Sequence, residues 1–165
     1  MTFCIPFPMP TIHLTTFIAA PIERVFDLSR NLSIYKVLMK DRKEKFSSGA
    51  ASNLVSNGDT ITIQAKHLGK TRLVTTRLTD LQKPSSFIQE QVKGDLIHFR
   101  HKHHFKPVEN GTILIDMVDF EGPRDVVGKL IGKLYLKNYL EQFLQKRNTL
   151  IQQYAESEKW RAVLT

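Results

Sequence analysis

Four of the six histidines in this chain fall within seven residues, at His98, His101, His103 and His104. The stretch from His98 to Lys106 has the alternation of a β-strand, in which successive side chains point to opposite faces. Phe99, His101, His103 and Phe105 then share one face, and Arg100, Lys102, His104 and Lys106 share the other. The charged face reads as the solvent side and the aromatic and imidazole face as interior. Two imidazoles on a buried face need partners, because an unpaired buried polar group costs about 1–3 kcal/mol.

Glu90 and Asp116 are the carboxylates that hairpin pairing places with them. Four kinds of chemistry suit His101, His103, Glu90 and Asp116. They suit a satisfied polar network that fixes the sheet, or an anchor for a polar group of a ligand. They suit acid–base catalysis, with His101 or His103 shuttling the proton and Asp116 or Glu90 orienting it. They also suit a metal site, since histidines at i and i+2 with a carboxylate form an acceptable ligand set. The lack of a clear third nitrogen or sulfur ligand speaks against the last, and neither a metal nor any other cofactor is expected. There is no Ser-His-Asp motif, phosphate loop or dinucleotide fingerprint.

The elements that must position these residues follow from periodicity. Thr11 to Ile18 reads as a strand, Pro21 to Asp27 as a short helix, and Leu32 to Met39 as a second one after Ser29 and Asn31. A short strand is expected within 43–48 and a loop over 49–57. Strands follow at 59–68, 71–81, 86–93, 96–107 and 112–121, separated by turn-forming residues at hairpin spacing. A long amphipathic helix is expected over about 125–156, carrying Leu140, Phe143, Leu144, Leu150, Ile151 and Tyr154 at helical spacing. The predicted class is α+β, one curved antiparallel sheet covered by a long C-terminal helix.

Treating Gly69-Lys70, Gly94-Asp95 and Asn110-Gly111 as two-residue turns sets the register. One face then collects Ile63, His67, Ile88, Val92, Phe99, Phe105, Leu114, Val118 and Phe120, together with Glu90, His101, His103 and Asp116. All three turns select a mostly apolar face. Ile113, Ile115 and Met117 are apolar too, so the last strand does not choose its face by pattern. The assembled face has the make-up of a ligand pocket, apolar with a few convergent polar groups. Its expected ligand-binding residues are Phe99, His101, His103, Phe105, Glu90, Asp116, Val118, Phe120, His67 and Ile63.

The length of 165 residues suits a single domain, here read as 11–156 between an extended arm at 1–10 and a tail at 157–165. The net charge of +8 is spread along the chain, the pattern of a solvated surface rather than a nucleic-acid footprint. Lys129, Lys133 and Lys137 form a helix stripe that is either solvated or in contact with anionic lipid. Cys4 is the single cysteine, so no internal disulfide forms. No apolar run reaches the roughly 18 residues of a membrane span. A cytoplasmic location is expected.

Ala19-Ala20-Pro21-Ile22-Glu23-Arg24-Val25-Phe26 after the first strand, Glu90 to Gly94, Phe99 to Phe105, Gly111-Thr112 and Asp116 together resemble the START-like helix-grip superfamily, also called SRPBCC or polyketide cyclase-like. Within it the segments from Glu90 to Asp116 are similar to a bacterial ligand-binding branch. The resemblance spans about Thr11 to Ala155. It implies a seven-stranded antiparallel sheet wrapped around the C-terminal helix, with a cavity for lipids, polyketides or similar apolar molecules. The expected function is therefore binding of a small hydrophobic or amphipathic molecule for carriage, sequestration or sensing. The alternatives are an enzyme of the cyclase or dehydratase kind and a lipid-transfer protein acting at a membrane surface. The superfamily has no universal catalytic motif, so the fold alone assigns no chemistry.

Overall fold

The computed structural model describes residues 11–67, 69–122 and 129–165. The N-terminal arm and the expected helix start near 125 lie outside these residues. Seven strands form one antiparallel sheet: β1 (Thr11–Ile18), β2 (Lys45–Ser48), β3 (Thr60–His67), β4 (Lys70–Gln82), β5 (Ser86–Gly94), β6 (His98–Val108) and β7 (Gly111–Glu121). Their order across the sheet is β1-β7-β6-β5-β4-β3-β2, so every neighbour beyond the first pair is joined by a direct sequential connection. Two short helices, α1 (Ile22–Ser29) and α2 (Leu32–Arg42), bridge β1 to β2, and the long helix α3 (Lys129–Ala155) crosses the sheet. Among the described residues no helix is long and apolar enough to span a membrane.

Local chemistry explains the breaks. Pro21 precedes α1, where its missing N–H costs nothing. Asn31 caps α2 by accepting a hydrogen bond from the Ser33 amide at 2.8 Å. The fully buried Asn31 also donates to the Val163 carbonyl at 2.8 Å. That bond ties the C-terminal segment, a 3-10 turn at Glu158–Trp160 and the short helix α4 (Arg161–Leu164), to the α1–α2 junction. Trp160 there lies against the guanidinium groups of Arg24 and Arg161, at 4.3 and 4.7 Å from its ring centre.

Two hairpins turn one residue earlier than their glycines suggest. His67 pairs with Lys70 and Val108 with Gly111, each one position earlier than a turn at Gly69-Lys70 or Asn110-Gly111 requires. Moving a two-residue turn by one position changes the sum of opposed numbers by two. Each face therefore keeps its membership, and Ile63 still shares the interior with Val74 and His103 with Asp116.

The β5–β6 connection is a correction. Gly94 and Asp95 are not its turn. Gly94 pairs with Val74 of β4, and the Asp95 amide donates to the Leu73 carbonyl at 3.1 Å. Gly94 adopts φ +151°, and a Cβ there would stand 2.5 Å from the Leu73 carbonyl oxygen. β4 pairs Thr75 with Lys93 but Thr76 with Gln91, which leaves Val92 as a bulge. The chain then turns later, and β5 meets β6 with Gln89 opposite His101 and Phe87 opposite His103. A one-residue slip exchanges faces. Gln89 and Phe87 therefore occupy the interior where Glu90 and Ile88 were expected, and Val92 is exposed. Gly94→Ala is expected to destabilise the fold by about 1–3 kcal/mol through backbone strain and the clash with β4. Chemical denaturation checks it, and a neutral result would remove the close approach as the reason for this glycine.

The interior divides into two apolar clusters. One gathers Phe26 of α1 with Phe87, Phe105 and Ile151. Phe26 meets Phe87 and Phe105 edge-on, with ring centres 5.6 and 5.1 Å apart. The other gathers Ile12, Val118 and Phe120 with Leu136, Leu140 and Leu144 of α3. His101 and His103 of β6 sit between them.

Candidate binding site

Alternation along β6 buries His101 and His103 and leaves Arg100, Lys102 and His104 partly exposed on the other face. Cross-strand pairing then brings Asp116 beside His103 and Val118 beside His101. The fourth component comes from α3. Leu140, Leu144, Arg147 and Ile151 are spaced by four, three and four, so Arg147 occupies a position on the apolar stripe and is 1% exposed.

Asp116 is the hub. Its Oδ1 lies 2.7 Å from His101 Nε2, 3.1 Å from His103 Nδ1 and 3.6 Å from Arg147 Nη1. Its Oδ2 accepts a 2.6 Å hydrogen bond from Asn148 Nδ2, which also donates to Thr16 Oγ1 of β1 at 3.0 Å. Arg147 donates further to the Ser29 carbonyl and to Asn148 Oδ1, both at 2.9 Å. His103 Nε2 lies 3.3 Å from Gln89 Oε1, and Gln89 Nε2 donates to Tyr35 Oη of α2 at 3.1 Å. The two imidazoles lie 3.6 Å apart, and His103 stacks on Phe87 at 4.1 Å. A buried charge is tolerable only when paired and hydrogen-bonded, and here every charged member meets that condition.

The protonation state follows from the same contacts. Burial would raise the Asp116 carboxyl, but hydrogen bonds from His101 and His103 and the charge of Arg147 hold it well below the usual carboxylate range. Burial lowers His101, opposed by Asp116 and reinforced by Arg147. Burial, His101 and Arg147 together lower His103 further. The resting state is an Asp116–Arg147 ion pair with two neutral imidazoles.

Beside this network, between the concave face of the sheet and α3, lies a cavity of about 90 Å³. Ile61, Ile63, Ala65, Val74, Phe99 and Val118 form its sheet wall, with Leu96 from the β5–β6 connection, and Leu136, Tyr139, Leu140, Phe143 and Leu144 form its helix wall. Its polar side chains are Tyr35, Arg72, Thr76, Gln89 and His101. Tyr139 donates to Glu44 Oε1 at 2.8 Å, and Arg42, itself paired with Glu44, lies over the Tyr139 and Phe143 rings at 4.6 and 5.3 Å. That contact fixes the middle of α3 against the α2–β2 junction.

Four of the expected residues, Ile63, Phe99, His101 and Val118, stand on the cavity wall. His103 and Asp116 are buried behind His101 and do not reach the wall. Phe105 packs in the cluster with Phe26, and Phe120 in the cluster with Leu144. Glu90 is a correction: the β5–β6 register turns it outward, and it pairs with Arg100 Nε at 2.7 Å on the opposite face. It cannot serve either imidazole as orienter or proton acceptor. His67 ends β3 opposite Lys70, and its side chain lies outside the described residues.

Arg147, Asn148, Gln89 and Tyr35 are the members that sequence reasoning missed. Arg147 left a signal, a cation in phase with Leu140, Leu144 and Ile151. Gln89 left none, because its face depends on the Val92 bulge. His101, His103 and Asp116 place three potential metal-ligand atoms within 4.8 Å of one another. The Arg147 guanidinium contacts two of those three groups and already supplies the positive charge a metal would bring. The cluster therefore fits an ion-paired network better than a metal centre.

No protein-family model matches the chain, and no curated protein matches it. Solved structures do. TTHA0849 from Thermus thermophilus superposes with a TM-score of 0.69 at 20% identity, over 86% of this chain and 97% of that one. The Zhui aromatase/cyclase from Streptomyces sp. R1128 gives 0.68 at 15% identity, over 90% and 94%. A START superfamily protein from Mycobacterium smegmatis gives 0.63 at 15% identity, over 88% and 97%. At such identities the likeness is one of fold.

Proposed function

The chain has the START-like helix-grip fold, and from that premise we propose that it binds a small hydrophobic or amphipathic molecule between the sheet and α3. The observation that carries this reading is the cavity itself. It is apolar on both walls, with a polar patch at His101, Gln89 and Tyr35. An apolar cavity of about 150 Å³ is enough to take up benzene. Carriage, sequestration or sensing of such a molecule is the role that fits.

A cavity of this size calls for a small probe. Fluorobenzene, followed by fluorine NMR, is expected to bind one saturable site. Ile63→Trp should fill the space from the sheet wall. Loss of about 100 Å² of apolar contact costs about 2.5 kcal/mol, so affinity is expected to fall at least about tenfold. A wild-type protein with no saturable site, or an Ile63→Trp variant that binds as before, would sink the reading.

A second reading, acid–base catalysis on the bound molecule, is favoured by the 2.7 Å His101–Asp116 contact at the wall. A carboxylate-held neutral imidazole is competent to take a proton. His103 and Glu90 have no part in it, since neither lines the cavity. Chemical change in a molecule incubated with the protein, lost in His101→Asn with binding retained, would establish this reading over simple binding.

A further inference from the structure

We infer that the natural ligand presents an uncharged hydrogen-bond donor, a phenolic or alcoholic hydroxyl, to Nδ1 of His101; the inference rests on the cavity being the binding site. The reasoning starts at Asp116. An ionised carboxylate only accepts hydrogen bonds, so the 2.7 Å contact assigns the proton of neutral His101 to Nε2. Nδ1 is then a bare acceptor. It has no partner among the described residues. Nδ1 is not among the sealed side-chain atoms that lack a partner there, so it is open to empty space. His101 as a whole is 3% exposed, and the space beside it is the cavity whose wall it forms.

The surroundings narrow the chemistry. Gln89, directly across from His101, is committed to Tyr35 and His103. Arg147, behind, is committed to Asp116, Asn148 and Ser29. Neither donates to Nδ1 in this structure. A carboxylate ligand would set one acceptor against another at this point. Arg72, the cationic side chain of the cavity, stands opposite Ala65 near the β3–β4 turn, away from His101 in the middle of the sheet. A hydroxyl on an apolar ring satisfies Nδ1 and leaves the rest of the molecule to the apolar walls. Desolvated sites built around one polar group discriminate against analogues that lack its partner.

The test compares para-fluorophenol with para-fluorotoluene, two rings of similar size, by fluorine NMR titration of the intact protein. The phenol is expected to bind about tenfold more tightly, the size of one net hydrogen bond. The nitrogen NMR resonance of His101 Nδ1 should shift on adding the phenol and stay in place with the toluene. In His101→Phe the preference should vanish, and the nitrogen shift in the unaltered protein stands as the test if that variant fails to fold. Equal binding of both rings with Nδ1 unmoved would overturn the inference and leave the cavity as the binding site. Saturable binding of neither ring would overturn both.

Discussion

Asp116→Leu is expected to destabilise the protein by about 3–5 kcal/mol, the usual cost of removing one partner from a buried ion pair. The carboxylate is fully buried and is the common acceptor for His101, His103, Arg147 and Asn148. Leucine keeps much of the volume, so little of the loss comes from packing. It comes from the guanidinium of Arg147, 1% exposed and left without its counter-charge. The companion variant separates these causes. Arg147→Met added to Asp116→Leu removes the stranded charge, and replacing both partners of a buried pair is often close to neutral. The double variant should therefore recover stability relative to Asp116→Leu, a coupling that a double-mutant cycle in urea measures. If Asp116→Leu costs under about 1 kcal/mol, the network does not hold the sheet to α3.

Acidification should unfold this protein early. His101 and His103 have folded pKa values below the ordinary 6.5, burial being the first cause for both. A group depressed on folding binds more protons when unfolded, so its contribution is complete above 6.5 and declines as pH falls below it. Asp116 is likewise depressed below the ordinary 3.8, through its hydrogen bonds and Arg147, and its contribution is lost at lower pH still. The signs agree, and stability declines in two stages. In the first, each imidazole contributes a slope approaching about 1.4 kcal/mol per pH unit. Thermal unfolding from about pH 7.5 to about pH 5 reads this directly, and His103→Phe should make the decline shallower. A flat profile across that window would mean that the imidazoles take up protons as readily in the folded protein as in the unfolded chain.

The helix-grip outline was readable in advance because it rests on local signals. Alternation marked the strands, small and polar residues marked the turns, and Leu140, Leu144 and Ile151 marked the stripe of α3. The inward face of β6 was also legible, since Arg100, Lys102 and His104 opposed Phe99, His101 and His103. Misplacing two turns by one residue did no harm to the assigned faces, because a two-number shift preserves parity. The Gly94-Asp95 turn was different. Its residues look like a hairpin turn, but they are held by β4 through Leu73 and Val74. Glu90 was therefore assigned to an interior that Gln89 occupies.

Composition and periodicity alone thus settled the strands, the two short helices, the long helix and which side of β6 is buried, because those follow from backbone geometry and the transfer of apolar surface out of water; the helical turns over 158–164 fell in the expected tail. The same patterns also singled out His101, His103 and Asp116. The division of labour among the three was decided only by tertiary structure. α3 crosses so that Arg147 and Asn148 reach Asp116, while Leu140 and Leu144 stop short of β3 and leave the cavity open beside His101. That outcome depends on where one helix lies over a curved sheet and on a bulge at Val92. Both are set by contacts between residues far apart in the chain, and no local pattern encodes them.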